Sequence, residues 1–168
     1  MEARGISHNN EDVVLIFNEN DYDRVSGRVR LMNPFAGLQG VTFEELQAFS
    51  HKVIDGCDDA GAEEKNAIVA IINSAYQICQ KYSLADFELY DLVLAFCQKN
   101  IEYVLDEDSE PINKTPEYFR FAAETLFDGQ GDCDCKSVLA YRIFKALNVD
   151  VEFALVKSGK SEEYNHVA

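Results

Sequence analysis

The sequence predicts a single α+β domain in which helices come first along the chain and the main strands come last. Apolar residues recur at helical spacing over most of the region from residue 42 to residue 147. Beyond that region, apolar and acidic residues alternate over a short segment, which is typical of a half-buried strand. The chain has 168 residues, of which 47% are hydrophobic, and this suits one domain with a substantial core.

The N-terminal part, residues 1–40, is predicted to contain a lead followed by a β-hairpin. Residues 1–10 have the composition of a disordered or tag-like lead. Two apolar runs, at residues 12–17 and 25–32, are strand candidates, and the turn-forming residues between them predict a hairpin. We assign residues 41–168 to the main domain.

The first helices of this domain are predicted from capping and periodicity. Thr42 begins a helix, and Glu45 completes a capping box with it. The next helix, at about residues 62–82, has one apolar face. A further helix, at about residues 85–103, is apolar on nearly every side in its middle, which indicates a position inside the domain.

A short helix is predicted from Thr115 to about Leu126, because proline follows this N-cap threonine at the first helical position. A glycine-containing loop at residues 128–131 then leads into another helix. That helix is predicted to end at Leu147, since Asn148 can adopt the left-handed conformation that terminates helices.

Two strands are predicted after this helix. Residues 149–155 alternate apolar and acidic side chains, and residues 157–162 contain a glycine that favours a hairpin turn. Residues 164–168 begin the second strand.

Charge and cysteine content narrow the functional classes. The net charge of −15 argues against nucleic acid and anionic membrane surfaces as partners. No apolar run reaches the roughly 18 residues of a membrane span, and the N-terminus lacks the apolar core of a signal peptide. The five cysteines are odd in number and include no C-x-x-C pair, which favours a reducing compartment. We expect a cytoplasmic protein, or the soluble portion of a longer membrane-associated or exported protein. The sequence does not predict the oligomeric state.

Cys133 is the leading candidate for a functional residue, because it lies where the loop becomes a helix. Unpaired N–H groups and the positive end of the helix macrodipole favour the thiolate, which is the nucleophilic form of cysteine. Asp132 and Asp134 flank it, and their charges oppose thiolate formation. A neighbouring imidazolium would be needed to overcome that opposition.

His166 is the candidate for that imidazole. It follows Cys133 after a helix, a strand and a hairpin, and such a path can return the second strand to the start of the helix. An imidazole placed there takes the thiol proton and then returns it to the leaving group. Spacing alone is a weak signal, because any chain with cysteine and histidine offers such pairs.

Local motifs around these two residues are more specific than their spacing. In chain order they are Glu124-Thr-Leu, Gly131-Asp-Cys133, Lys136-Ser137, Leu147-Asn148 and His166-Val-Ala. Together they resemble the transglutaminase-like cysteine-protease superfamily, and most closely its bacterial branch. The resemblance is clearest over residues 85–168.

The resemblance implies a papain-like fold, with helices packed on an antiparallel sheet and Cys133 at the N-terminus of the central helix. It also implies acyl transfer through a thioester on Cys133, with His166 as base and then acid. Transfer to water hydrolyses a protein or peptide substrate, which we favour, and transfer to an amine gives cross-linking. No cofactor and no metal are expected. Gln98 is a candidate oxyanion-hole amide, as an amide is in relatives. Glu124 is expected to support the loop through backbone N–H groups.

Three features depart from the family. Its third triad residue, an Asp or Asn, lies on the strand after the histidine strand, and the sequence ends at Ala168. We expect a truncated C-terminus; the alternatives are that another acid of the chain substitutes or that the chain is inactive. Cys135 stands where this branch commonly has an acidic residue, and Asn148 stands where the family has glycine. We favour a packing role for Cys135.

The main alternative function is a catalytically inactive module that retains the fold and binds protein. Two further alternatives are a redox pair of Cys133 and Cys135, and a metal site that adds His166. Both are less favoured, because a one-residue separation strains a disulfide and zinc prefers two to four residues between its ligands.

Overall fold

The structure is a computed structural model. It describes residues 4–8, 11–15, 61–108, 118, 120–156 and 166–167. The helix predicted from Thr42, the strand candidate at residues 25–32 and the turn at residues 157–162 lie outside the described residues.

The described part contains four α-helices, one 3₁₀ turn and six short strands. The helices are α1 (Gly61–Tyr82), α2 (Asp86–Lys99), α3 (Ala122–Asp128) and α4 (Cys133–Ala146), and the 3₁₀ turn is Asp106–Asp108. The strands are β1 (Arg4–His8), β2 (Glu11–Leu15), β3 (Glu102–Tyr103), β4 (Gln130–Gly131), β5 (Leu155–Val156) and β6 (His166–Val167).

The strands form three two-stranded sheets. Strands β1 and β2 are antiparallel, as are β5 and β6, whereas β3 and β4 are parallel. The described part of the chain is therefore mostly helical with small sheets, and it is compatible with the α+β class at that coarse level.

Helix α4 lies at the centre of the helical core and packs against each of the other three helices. One of its faces buries Val138, Leu139 and Ile143 completely. The apolar stripe predicted for α1 is buried against this core, as are the apolar residues on one face of α2. The main buried members of the two stripes are Ile68, Ile71, Ala75, Ile78, Leu89, Leu92, Val93 and Phe96.

The prediction of a disordered lead is wrong for residues 4–8, which form β1. This strand pairs with β2 so that Ile6 lies opposite Val13. Strand β1 packs against α1 and α2, and β2 packs against α1. This pairing and these contacts hold residues 4–8 in place, whereas a disordered lead would have neither.

Helix α2 differs from its prediction in length and in exposure. It ends at Lys99, because Glu102 and Tyr103 leave the helix to pair in parallel with Gln130 and Gly131. Its middle is also not enclosed, since Leu94 is 40% exposed. The helix lies at the surface with one face buried.

Helix α3 is shorter than the helix predicted from Thr115 to Leu126. Tyr118 and Arg120 are not helical, and the residues around Thr115 lie outside the described part. The helix begins at Ala122 because the Glu124 carboxylate accepts the Phe121 N–H at 3.0 Å and closes the first turn.

The segment after α4 is also less regular than predicted. Asn148 has the predicted left-handed conformation, with φ of 58°. However, the strand predicted at residues 149–155 is confined to Leu155 and Val156, which pair with β6. In the described part of the chain, no helix is long and apolar enough to span a membrane.

Glu64 of α1 joins three helices through its buried carboxylate. One oxygen accepts the Ala123 N–H at 3.1 Å, at the start of α3. The other accepts two guanidinium N–H groups of Arg142, on α4, at 3.1 Å. The Glu64 side chain is only 5% exposed, so little water competes for these bonds.

We predict that Glu64→Ala lowers the free energy of unfolding by about 2–4 kcal/mol, because a buried N–H and a guanidinium lose their acceptor. Urea unfolding followed by circular dichroism measures this loss. The matched control is Lys65→Ala at the exposed neighbouring position, which should change stability by less than about 0.5 kcal/mol. Equal losses for the two variants would contradict the assigned role of Glu64.

Candidate functional site

The loop before α4 sets the position of Cys133. Gly129 ends α3 in the left-handed conformation, with φ of 68°, and its N–H donates to the Thr125 carbonyl at 2.9 Å. Left-handed backbone favours glycine, so this turn needs Gly129. The chain then pairs with β3 for two residues and enters α4 at Cys133.

Cys133 is the first residue of α4 and is half-buried. Asp132 is the N-cap, and its carboxylate accepts the Cys135 N–H at 3.5 Å. The Ser137 hydroxyl donates to the Cys133 carbonyl at 2.7 Å and fixes the first turn from the other side. Cys133 therefore lies at the helix N-terminus, where the macrodipole favours an anion.

Gly131 is needed because its backbone lies against the side chain of Cys135. A Cβ added at Gly131 would lie 2.7 Å from the Cys135 Cβ, which is closer than real Cβ contacts. This contact gives a structural reason for glycine two residues before Cys133.

Cys135 is fully buried, and its thiol donates to the Tyr118 carbonyl at 3.7 Å. Burial raises the pKa of the Cys135 thiol well above its usual value, and the charges of Asp134 and Asp132 raise it further. Both Cys133 and Cys135 are free thiols. A buried, protonated Cys135 suits packing better than redox chemistry.

Tyr118 is held by two buried carboxylates from different parts of the chain. Its hydroxyl donates to Glu124 at 2.8 Å, and its N–H donates to Asp106. Burial raises the pKa of Glu124 to about 7, although its hydrogen bonds from Tyr118 and Phe121 act in the opposite direction. Burial likewise raises the pKa of Asp106 to about 6. Glu124 thus supports the segment before α3.

An open cleft of about 440 Å³ lies beside Cys133, between α2, α4 and the segment after α4. Gln98 lines the same cleft, so the structure brings the predicted oxyanion candidate and the predicted nucleophile together. Lys136 also lines it, donates to the Gln98 carbonyl at 3.3 Å, and lies 5.6 Å from the centre of the Tyr103 ring. The full lining consists of Leu94, Cys97, Gln98, Tyr103, Cys133, Lys136, Ser137, Ala140, Tyr141, Phe144, Val151, Glu152 and Phe153.

The backbone of His166 belongs to β6, which is antiparallel to β5 and lies beside α4. His166 is opposite Val156 in this pair. The His166 side chain is outside what the structure describes. That its imidazole lies beside Cys133 therefore stays a prediction.

Three side chains near the start of α4 could hold a divalent cation. The ligand atoms of Asp106, Asp132 and Cys135 lie within 4.8 Å of one another. Among the described residues, one oxygen of buried Asp106 has no hydrogen-bond partner. The metal site that the sequence offered as an alternative has different ligands, Cys133, Cys135 and His166, and the two sets share only Cys135. Cation binding to Cys135 would require loss of the thiol proton that Tyr118 now accepts.

The sequence did not predict that Tyr103 and Lys136 line the cleft with Cys133, or that Asp106 lies beside Asp132 and Cys135. Tyr103 and Asp106 come from the segment after α2, which the short pairing of β3 with β4 brings to the loop. Lys136 did carry a signal, since it lies one helical turn after Cys133 and shares its face of α4.

Comparison with protein-family models, with curated proteins and with solved structures returned no match. The functional interpretation therefore depends on the geometry of this site and on the sequence motifs around it.

We predict that Gly131→Ala lowers the free energy of unfolding by about 1–3 kcal/mol, because the new methyl group overpacks against Cys135. A double-mutant cycle with Cys135→Gly isolates this contact in urea unfolding experiments. The cost of Gly131→Ala should be smaller when the Cys135 Cβ is absent. An equal cost in both backgrounds would show that the contact is not the cause.

We also predict that stability falls as the pH rises from about 4.5 to about 7. Burial raises the pKa of Glu124 to about 7 from an ordinary value of 4.5. The native state therefore binds more protons than the unfolded chain in this window, and stability is lost as Glu124 ionises. The shift corresponds to roughly 3 kcal/mol.

Urea unfolding of the wild type and of Glu124→Gln at pH 5 and pH 8 tests this prediction. Glutamine stays neutral at both values, so Glu124→Gln should lose less stability than the wild type between them. Glu102→Gln, at an exposed position, is the control and should behave like the wild type. The prediction fails if Glu124→Gln shows the same loss as the wild type.

Proposed function

We propose that this protein hydrolyses a peptide or amide bond through a thioester on Cys133, in a papain-like fold of the transglutaminase-like type. The observation that carries the proposal is the position of Cys133, which is the first residue of α4 and lines an open cleft. A reactive thiol needs both features, because the helix N-terminus favours the thiolate and the cleft gives substrate access.

The electrostatics around Cys133 act in both directions. Asp132 and Asp134 lie next to it and oppose thiolate formation. The helix N-terminus favours the thiolate, and the ammonium of Lys136 adds a positive charge to the same cleft. A protonated His166 on β6 would supply the remaining positive charge.

In the proposed reaction, the Cys133 thiolate attacks the carbonyl carbon of the scissile amide and forms a tetrahedral oxyanion. The Cys133 backbone N–H and the Gln98 amide stabilise that oxyanion. The carbon–nitrogen bond then breaks, and His166 gives its proton to the leaving amine. His166 next takes a proton from water, which attacks the thioester. The carbon–sulfur bond then breaks, the carboxylic acid is released, and the Cys133 thiolate and protonated His166 are restored.

The second candidate function is a module that binds protein without catalysis. The two carboxylates that flank Cys133 favour it, because they raise the cost of the thiolate. The two functions differ in whether Cys133 reacts faster than an ordinary thiol at slightly acidic pH.

We predict that iodoacetamide modifies Cys133 at pH 6.5 at least about tenfold faster than it modifies glutathione, because an activated thiol is largely ionised there. The intact chain is alkylated and quenched at set times, and peptide mass spectrometry after digestion then measures the rate at each cysteine. Cys79 is a reference within the same chain, since burial and the charges of Glu88 and Asp86 raise its pKa.

His166→Ala should lower the rate at Cys133 at pH 6.5, and the loss should become smaller at pH 9, where the thiol ionises without help. Hydrolysis of a casein substrate should also be lost in Cys133→Ala. A Cys133 rate no higher than that of glutathione, unaffected by His166→Ala, would refute the hydrolase and favour the binding module.

A further inference from the structure

The cleft beside Cys133 follows one face of α4. Its lining residues on this helix are spaced by three and four positions, which places them on a single stripe that begins at the proposed nucleophile. They are Cys133, Lys136, Ser137, Ala140, Tyr141 and Phe144. The opposite face of α4 is buried in the core, whereas the residues of this stripe other than Phe144 are half-buried and so available to a ligand.

The cleft has a polar end and an apolar end. Cys133, Lys136 and Gln98 are at the polar end, at the start of α4. Further along the helix the walls are Ala140 and Phe144 on α4, and the segment after α4 contributes Val151, Phe153 and the exposed, charged Glu152. An occupant that matches this arrangement has an amide group at one end and an uncharged, apolar group at the other.

Aromatic side chains give the apolar end a fixed shape. Tyr141 stacks on Phe153, with ring centres 4.7 Å apart, and Phe144 meets Tyr90 edge to face at 5.9 Å. Rings held by other rings lose little freedom when a ligand binds, and they offer flat surfaces on which a further ring can pack.

The volume of the cleft limits what can occupy it. At about 440 Å³ it lies near the lower end of the roughly 300–1,000 Å³ found for small-ligand sites. It therefore suits one or two amino-acid side chains and their backbone. Leu94 on the α2 wall is 40% exposed, so apolar surface is available to such a ligand.

We propose that this cleft binds the bulky apolar side chain, preferably aromatic, of the residue whose carbonyl Cys133 attacks. This inference depends on the proposed hydrolase function and adds the substrate class. The scissile carbonyl lies at the polar end beside Cys133, and the side chain of the same residue extends along α4 toward Phe144.

Two alkylating reagents that share the iodoacetamide group test the proposal on the intact chain. Iodoacetamide reports the reactivity of Cys133 alone, whereas N-(2-phenylethyl)iodoacetamide adds an aromatic ring that can enter the cleft. Each rate at Cys133 is divided by the rate of the same reagent with glutathione. We expect the phenylethyl reagent to be favoured at least about tenfold, since apolar pockets discriminate by such factors.

Matched variants on α4 connect this preference to the cleft. Ala140→Phe narrows the apolar end, so the preference should fall toward one. Ala146→Phe places the same side chain at an exposed position of the same helix and should keep the wild-type preference. Phe153→Ala removes the ring that stacks on Tyr141 and should also reduce the preference. This variant replaces Ala140→Phe as the test if circular dichroism shows that Ala140→Phe is unfolded.

The outcomes separate this inference from the function on which it depends. A fast reaction of Cys133 with iodoacetamide but no phenylethyl preference overturns the apolar subsite and leaves the hydrolase intact. A preference that survives both Ala140→Phe and Phe153→Ala overturns the assignment to this cleft. A Cys133 that reacts no faster than glutathione with either reagent refutes both the function and the inference.

Discussion

The close packing of the Gly131 backbone against Cys135 is the constraint on which the candidate site depends. It brings β4 directly against the first turn of α4, at a distance that a side chain on residue 131 would prevent. Because β4 also pairs with β3, this contact places the segment after α2 beside the start of α4. The cleft, its Tyr103 wall and the position of Cys133 all follow from that placement.

The sequence was sufficient where the signals are local. The helix predicted at residues 62–82 is α1, Gly61–Tyr82, because a long amphipathic repeat specifies both a helix and its buried face. The start of α4 at Cys133 is likewise determined nearby, by the Asp132 cap and the glycine-containing turn before it. The left-handed Asn148 ends this helix as predicted.

Sequence reasoning failed where the structure is decided by distant partners. The end of α2 depends on the pairing of two residues with β4, and a two-residue strand has no period to detect. The start of α3 at Ala122 is set by Glu124, whose carboxylate accepts the Phe121 N–H and also binds Tyr118. Tyr118 is in turn held by Asp106, and no rule based on local spacing joins those two residues.

The charge of this chain makes local geometry decisive for Cys133. A net charge of −15 opposes any thiolate, but salt limits that opposition to charges within roughly 8–10 Å. Within that range lie the adjoining Asp132 and Asp134, which oppose the thiolate, and the helix N-terminus, which favours it. The balance is thus decided by the few cations that reach the cleft.

Lys136 is one of these cations, and its own pKa is lowered by burial, so its charge is incompletely solvated. A partly desolvated ammonium attracts a nearby anion more strongly than one in bulk water. For the same reason, an imidazole delivered by β6 would become protonated more readily beside these carboxylates, and the acidic residues that oppose the thiolate directly would favour its cationic partner.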